Sequence, residues 1–300
     1  MAGWLKANAL DEMKNHAEIK KLRAPVRIDF GGGTTDIYPF THLYGGAVLN
    51  AAIDRYVVGR IIRADKEVGL QYHAVIPTSS GLGTSGAMTL LWMALINEKD
   101  KFTRADKLAL AEQVYALEKT FKGVNGKQDQ YAAALGGINF MEFHNDKVKV
   151  TPVKLPKSFI KQLEEKLVLV YTGKPHYAGS SNRGSIENLK KGKNNENLLK
   201  IKHIAEDMHK ALLKRDLNKF AELLNEETKE RAKLHRNMIP PFVRKVIKAG
   251  MKNGAVAAKI CGSGNGGSVL FFGDKPDIKR KFGGKIIDFK FDFEGLKVIS

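Results

Sequence analysis

The sequence has a single cysteine, Cys261, in 300 residues, so no disulfide can form within the chain. One thiol in a chain of this length is typical of a reducing compartment. No apolar run approaches the ~20 residues that cross a bilayer, and the charged segment Met1 to Lys21 lacks the apolar core of a signal peptide. These absences predict a soluble, cytoplasmic protein with no membrane partner.

Acidic residues are scarce relative to basic ones. The chain has 50 Lys and Arg against 32 Asp and Glu, which gives a formal net charge of +18. Such an excess favours anionic partners such as nucleotides and sugar phosphates. The basic residues are spread along the chain and do not alternate with aromatic residues as in a single-strand binder, so we expect no nucleic-acid partner.

The length allows two modest domains or one large one. Alternating or continuous apolar runs predict strands at Ala24–Phe30, Ala47–Ile53 and Tyr56–Ile62. A boundary is expected near residues 147–156, because the pattern restarts after it. The second half resembles a split β-α-β arrangement. We therefore expect an α+β protein.

The segment from Pro77 to Ser85 is rich in serine and glycine, and it follows a predicted strand and precedes an apolar helix. Backbone N–H groups at such a helix start face anions, and glycine lets the backbone approach a phosphate. The segment matches neither a Walker A motif nor G-x-G-x-x-G, because no lysine follows its last glycine. The alternative is an ordinary turn that caps a core helix. The predicted nucleotide-binding residues are Pro77, Ser79, Ser80, Gly81, Leu82, Gly83, Thr84 and Ser85.

Three motifs together resemble those of the GHMP superfamily of small-molecule kinases. Pro77 to Ala87 is similar to its central motif, Arg23 to Arg27 with Gly32 and Asp36 to its first, and Lys259 to Gly267 to its third. The resemblance implies a ribosomal S5-like N-terminal domain over residues 22–153 and a ferredoxin-like C-terminal domain over 154–300. Residues 1–21 would be an N-terminal extension, and the active site would lie in the cleft between the domains.

The resemblance also implies Mg²⁺ and ATP as cofactors. Ser85 and Glu118 would be the metal ligands, since Mg²⁺ takes few protein oxygens. Asp129 would be the general base, and Arg27 would keep it ionised and stabilise charge on the phosphoryl group. The alternatives are a solvated helix carboxylate for Glu118, a helix N-cap for Asp129 and a surface ion pair for Arg27.

The acceptor would be a sugar or a sugar phosphate. The glycine-rich run before Asp36 is similar to that of heptose 7-phosphate kinases and fucokinase-like proteins, as are Tyr171-Thr172-Gly173 and the later Ser180-Ser181. Members of that subgroup phosphorylate an anomeric hydroxyl. The predicted substrate-binding residues are Gly33, Thr34, Asp36, Gly262, Ser263 and Gly264.

One departure from the family pattern leaves alternatives open. The segment 64–76, before the central motif, is much shorter than in family members and leaves less chain for an adenine pocket. The chain could instead be a catalytically inactive sugar sensor or binding protein, or a kinase of the mevalonate or homoserine branch. A homodimer is also compatible with the sequence.

Overall fold

The computed structural model describes residues 18–64, 67–77, 79–97, 99–122, 124–175 and 178–299. Within them the chain forms two antiparallel sheets, one of six strands and one of four. Helices cover both sheets, as expected for an α+β protein. Among the described residues, no helix is long and apolar enough to cross a membrane.

The first sheet is built on two long strands that pair with each other. Pro25 faces Tyr56 while Val26 faces Ile53, so two residues of the second strand form a bulge. This bulge separates the two apolar runs that the sequence presents as separate strands. The strands of the sheet are β1 (Glu18–Gly31), β2 (Gly46–Ala64), β3 (Glu67–Ala74), β4 (Ile138–His144), β5 (Lys147–Pro152) and β10 (Lys297–Val298). Their order is β10-β1-β2-β4-β5, with β3 beside β2.

Four helices belong to the first half of the chain: α1 (Phe40–Leu43), α2 (Thr84–Ile96), α3 (Arg104–Lys122) and α4 (Gln128–Leu135). Helix α2 packs on β1 and β2 through fully buried side chains that include Leu90, Leu91 and Leu95. The contact is close at Gly59 of β2, where an added Cβ would lie 2.7 Å from Leu91 Cδ2. Because α2 is fixed along its length, its first turn and the loop before it are fixed as well.

The second sheet contains β6 (Leu167–Tyr171), β7 (Ala255–Ile260), β8 (Ser268–Gly273) and β9 (Ile286–Ile287). Its order is β7-β8-β6-β9. If these four strands are renumbered 1 to 4 in chain order, the order in the sheet is 2-3-1-4. Helices follow strands 1 and 3. That is the β-α-β-β-α-β topology of a ferredoxin-like domain, as predicted.

The remaining helices are α5 (Lys157–Lys166), α6 (Ala178–Lys190), α7 (Asn195–Leu213), α8 (Leu217–Ala232), α9 (Pro241–Met251) and α10 (Lys275–Phe282). Helix α7 packs on β1 and β2, while α8 contacts both β7 and β1. Thus α8 lies between the two sheets and can carry side chains to their junction.

Two features differ from the predicted domain limits. Strand β1 begins at Glu18, so residues 18–21 belong to the first sheet and not to an extension; residues 1–17 lie outside the described residues. The last strand, β10, pairs with β1, so the C-terminal segment returns to the first sheet. The unit that starts at residue 154 therefore does not run to the end of the chain. Strand alternation alone could not indicate this return, because β10 is only two residues long.

Asp292 holds the returning C-terminal segment against β2. Its carboxylate accepts hydrogen bonds from the backbone N–H groups of Glu294 (3.1 Å) and Gly295 (2.6 Å) and from the Tyr56 hydroxyl (2.9 Å). Its backbone N–H donates to the carbonyl of Ala52 at 2.9 Å. The carboxylate thus links the C-terminal segment to β2.

We expect Asp292→Ala to lower the free energy of unfolding by about 2–3 kcal/mol, because a buried carboxylate with three donors is lost. Urea unfolding followed by circular dichroism measures this change. The matched control is Asp288→Ala, which removes an exposed carboxylate four residues earlier and should cost less than about 1 kcal/mol. Equal losses for the two variants would contradict the assignment.

Candidate active site

A cleft of about 680 Å³ opens between the two halves of the chain. Four segments supply its walls: the end of β1 with the loop after it, the loop before α2, the start of α4, and the loop between β7 and β8. Helix α6 adds Asn182 and Arg183. The predicted site residues in its lining are Arg27, Gly33, Thr34, Asp36, Ser79, Ser80, Gly81, Leu82, Gly83, Thr84, Ser85, Asp129, Gly262 and Ser263.

The loop before α2 has the backbone geometry of an anion site. Ser79, Gly81 and Gly83 have φ values of 54°, 77° and 73°, in the left-handed region that favours glycine. Gly83 is the N-cap of α2, and no side chain caps that helix start. The N–H groups of the first turn are therefore directed into the cleft, where a phosphate can accept their hydrogen bonds.

Two hydroxyls of this loop are buried without a partner. Ser80 Oγ and Thr84 Oγ1 are inaccessible to solvent and form no hydrogen bond among the described residues. Buried polar groups are normally satisfied, so each such exception needs a reason. Both hydroxyls can donate to a bound phosphate, which would explain their burial in a loop that faces the cleft.

The loop between β7 and β8 packs directly on the loop before α2. A Cβ at Gly81 would lie 2.8 Å from the carbonyl oxygen of Cys261, and a Cβ at Gly262 would lie 2.8 Å from that of Gly81. Only glycine allows this approach. Burial raises the pKa of the Cys261 thiol to about 12, which agrees with a packed residue rather than a nucleophile.

Arg27 and Asp129 form an ion pair beside the loop. Arg27 donates from Nε to Asp129 Oδ1 at 2.8 Å, and its Nη2 lies 2.7 Å from the same oxygen. It also donates to the carbonyl of Gly81 at 2.8 Å. Burial acts to lower the pKa of Arg27, but the carboxylates of Asp129 and Asp29 outweigh it and raise that pKa. The arginine is thus a permanent cation, while Asp129 keeps 30% of its side chain exposed.

Asp36 is almost fully buried beside these groups. Its Oδ2 accepts a hydrogen bond from the backbone N–H of Gln128 at 3.1 Å. A Cβ at Gly126 would lie 2.2 Å from the same oxygen, so a glycine is needed there. Burial raises the pKa of Asp36 to about 6; the Gln128 N–H opposes this increase and the charge of Asp129 adds to it. A buried carboxylate whose ionised form is disfavoured in this way is typical of a ligand-binding position.

Glu118 is buried on α3, outside the lining of the cleft. Its Oε1 accepts from Thr89 Oγ1 at 3.0 Å, and the same hydroxyl lies 3.0 Å from the carbonyl oxygen of Ser85, one turn earlier on α2. Its Oε2 accepts from Asn125 at 2.7 Å. The Ser85 hydroxyl and the Glu118 carboxylate are hard oxygen donors, the kind that Mg²⁺ binds. The described residues contain no cluster of three or more acidic, His or Cys side chains that could hold a metal.

A network of buried charges lies behind the cleft. Asp29, on the same face of β1 as Arg27, accepts from Lys259 Nζ at 2.7 Å and from the backbone N–H of Gly262 at 2.9 Å. Glu227 and Arg231, one turn apart on α8, are paired at 2.9 Å. Arg231 donates to the carbonyl of Gly33 at 2.9 Å and to Thr34 Oγ1 at 3.4 Å. Thr34 has a φ of 79°, so Arg231 holds a strained turn of the loop after β1.

Three predicted site residues lie elsewhere. Pro77 precedes the loop without lining the cleft, Glu118 lies behind it, and Gly264 packs on Met238. The side chains of Ser180 and Ser181 lie outside the described residues.

Sequence reasoning also missed several residues. The alternation of β1 could have placed Asp29 beside Arg27, whereas Glu227 and Arg231 have the spacing of an ordinary surface pair. The missed residues are Asp29, Asn125, Gln128, Asn182, Arg183, Glu227, Arg231 and Lys259.

Comparison with known families agrees with this geometry. Residues 47–137 match the model described as "GHMP kinases N terminal domain", and residues 208–284 match "GHMP kinases C terminal". The first match contains the loop before α2 and Asp129. The second contains α8 and the loop between β7 and β8.

Three relatives resemble the chain over nearly its whole length. D-glycero-alpha-D-manno-heptose 7-phosphate kinase of Campylobacter jejuni is 28% identical, and the alignment covers 92% of this chain and 98% of that protein. A D-glycero-D-manno-heptose 1-phosphate kinase structure from Bacteroides thetaiotaomicron has a TM-score of 0.73 at 24% identity, over 94% of this chain and 99% of that one. A putative sugar kinase structure from Campylobacter jejuni has a TM-score of 0.70 at 25% identity, over 95% and 99%.

The buried network yields a stability prediction. Glu227→Ala should lower the free energy of unfolding by about 3–5 kcal/mol, because Arg231 loses its partner inside the protein. Glu226→Ala, on the exposed side of the same helix, is the matched control and should cost less than about 0.5 kcal/mol. Chemical unfolding at neutral pH measures both, and a small loss for Glu227→Ala would show that water reaches the network.

For Asp36 we predict a substitution that raises the free energy of unfolding. Its pKa is raised by folding, so its ionised form destabilises the protein above about pH 6, and this cost vanishes below the unfolded pKa near 4. Asp36→Asn should therefore unfold with a free energy about 1–3 kcal/mol higher than the wild type at pH 7.5. The gain should disappear near pH 4.

Urea unfolding at the two pH values tests this expectation, with Asp207→Asn as an exposed control that should change little at either pH. A variant that is less stable than the wild type at pH 7.5 would mean that the carboxylate stabilises the fold. The position would then be structural.

Proposed function

Because this chain belongs to the GHMP kinase family, we propose that it transfers the γ-phosphate of ATP directly to a hydroxyl of a sugar or sugar phosphate. The hydroxyl is the anomeric one. The observation that supports this most strongly is the pairing of Arg27 with Asp129 beside Gly83. It places a carboxylate and a permanent cation at the end of a loop built for phosphates.

The loop before α2 would bind the phosphates of ATP. Its N–H groups, together with the hydroxyls of Ser80 and Thr84, are donors, and every phosphate oxygen is an acceptor. Arg27 adds the positive charge that stabilises the phosphoryl group as charge develops on its oxygens. The donors that the phosphates of a nucleoside triphosphate need are thus present in one wall of the cleft.

Asp129 would act as the general base. It accepts the proton of the acceptor hydroxyl as the hydroxyl oxygen forms a bond to the γ-phosphorus and the bond to the ADP oxygen breaks. The products are the phosphorylated acceptor and ADP, and the proton leaves Asp129 to solvent. The partial exposure of the carboxylate lets it meet the acceptor, while Arg27 holds it in place.

Mg²⁺ is the proposed metal, with Ser85 and Glu118 as its protein ligands. When bound, it neutralises charge on the nucleotide phosphates. Glu118 is oriented for this by Asn125 and Thr89, which donate to its two oxygens. Asn125 also lines the cleft, so the carboxylate is connected to the site through it.

The proposed acceptor is a seven-carbon sugar phosphate, as in the name of the Campylobacter relative. Asp36 accepts hydrogen bonds, and a sugar supplies hydroxyl donors to a carboxylate. The adjoining turn at Thr34, held by Arg231, presents its backbone to the same space. An acceptor with several hydroxyls therefore fits this end of the cleft better than an amino acid or an isoprenoid precursor.

The test is ADP release from Mg²⁺–ATP with D-glycero-D-manno-heptose 7-phosphate and with the unphosphorylated heptose, alongside mevalonate and homoserine. Asp129→Asn should lower kcat by about 10²- to 10⁴-fold, because a positioned general base contributes that much. The KM for ATP should stay within about twofold, since Asp129 does not hold the nucleotide.

Asp100→Asn, an exposed carboxylate outside the cleft, is the matched control and should keep wild-type turnover. Turnover that survives Asp129→Asn would keep the kinase and remove Asp129 as base. Turnover only with mevalonate or homoserine would move the chain to that branch. Sugar binding without any turnover would favour the inactive sensor.

A further inference from the structure

The charged side chains that line the cleft differ in whether they have partners in the protein. Two carboxylates, Asp36 and Asp129, and two cations, Arg27 and Arg183, belong to its lining. Arg27 is engaged by Asp129 and by the carbonyl of Gly81. The side chain of Arg183, on α6, has no hydrogen-bond or ion-pair partner within the described part of the chain. A cation that faces a binding cleft without a partner is available for a ligand.

The buried cations near the cleft, unlike the exposed Arg183, already have partners. Lys127 Nζ lies 3.3 Å from Glu112, donates to the carbonyl of Asp146 and lies over the Tyr115 ring. Lys259 and Arg231 belong to the buried network behind the cleft. Arg183 therefore differs from them: its charge is not needed to balance a carboxylate of the fold.

Unsatisfied acceptors accompany this arginine. Gln128 is 6% exposed and lines the cleft, and its Oε1 is buried with no donor. Asn182 Oδ1, beside Arg183 in sequence, is in the same state. A buried acceptor without a donor is costly, and a ligand hydroxyl removes that cost. The cleft thus contains two amide oxygens that have no donor, and one arginine whose charge has no partner among the described residues.

We propose that Arg183 binds a phosphate ester that the acceptor already carries, and that Gln128 and Asn182 accept hydrogen bonds from its hydroxyls. This inference rests on the proposed function, and it makes Arg183 the residue that selects a phosphorylated sugar over a free one. An arginine suits this role because its planar guanidinium donates two parallel hydrogen bonds to phosphate oxygens.

The phosphates of ATP are the competing ligand for Arg183. They already have the N–H groups of α2, two unpartnered hydroxyls and Arg27. Arg183 comes from another element, which also carries the unsatisfied amide oxygen of Asn182. An amide oxygen repels a phosphate but accepts from a sugar hydroxyl, so this pair of neighbours matches an acceptor with both groups.

The experiment compares wild type, Arg183→Ala and Arg183→Lys with the two heptose acceptors. Loss of a charge-assisted contact should raise the KM of the phosphorylated acceptor about 10- to 100-fold. The KM values of the free heptose and of ATP should stay within about twofold, and Arg183→Lys should recover part of the loss. Lys190→Ala removes an exposed charge from the same helix and should change none of these values.

Calorimetric binding of the two heptoses without ATP separates this inference from the proposed function. The wild type should bind the phosphorylated heptose at least tenfold more tightly than the free one, and Arg183→Ala should abolish that difference, whether or not transfer occurs. A preference that persists in Arg183→Ala overturns the role of Arg183. A wild type without preference overturns the phosphate subsite, and a change in the KM of ATP alone assigns Arg183 to the nucleotide.

Discussion

The ion pair between Asp29 and Lys259 is the contact on which the site depends. It joins β1 of the first sheet to β7 of the second, and both side chains are completely buried. The second oxygen of Asp29 accepts from the N–H of Gly262, so the same carboxylate fixes the loop between β7 and β8. Burial acts to raise the pKa of Asp29, but the charges of Lys259, Arg27 and Arg231 lower it. The carboxylate thus stays ionised because three cations surround it.

The position of that loop determines how the two glycine-rich loops meet. Their backbones pack on each other at Gly81 and Gly262 without intervening side chains. Arg27 connects this junction to Asp129, because it donates hydrogen bonds to both the carbonyl of Gly81 and the carboxylate of Asp129. The loop before α2, the carboxylate of Asp129 and the second sheet are therefore connected by direct contacts. A movement of the second sheet would change the position of Asp129, because the two hydrogen bonds of Arg27 connect Gly81 to that carboxylate.

The site also contains groups that the fold does not satisfy. The carboxylate of Asp36, the hydroxyls of Ser80 and Thr84 and the amide oxygen of Gln128 are buried at a cost to stability. The buried carboxylate of Asp292, by contrast, has partners for both of its oxygens. The unsatisfied groups all belong to the lining of one cleft, so a ligand that supplies their partners there gains binding free energy.

The sequence by itself determined the kinase resemblance and the glycine-rich loop before α2, and it singled out Arg27 and Asp129, because these signals are local: a glycine-rich segment between a strand and a helix, and short motifs in order. It also indicated the strands β1 and β2, whose apolar residues alternate or run continuously. Only the tertiary structure decided that Glu227 and Arg231 are buried, because their spacing is that of any surface pair. The same holds for the return of β10 and for the position of Arg183, since both depend on distant segments meeting.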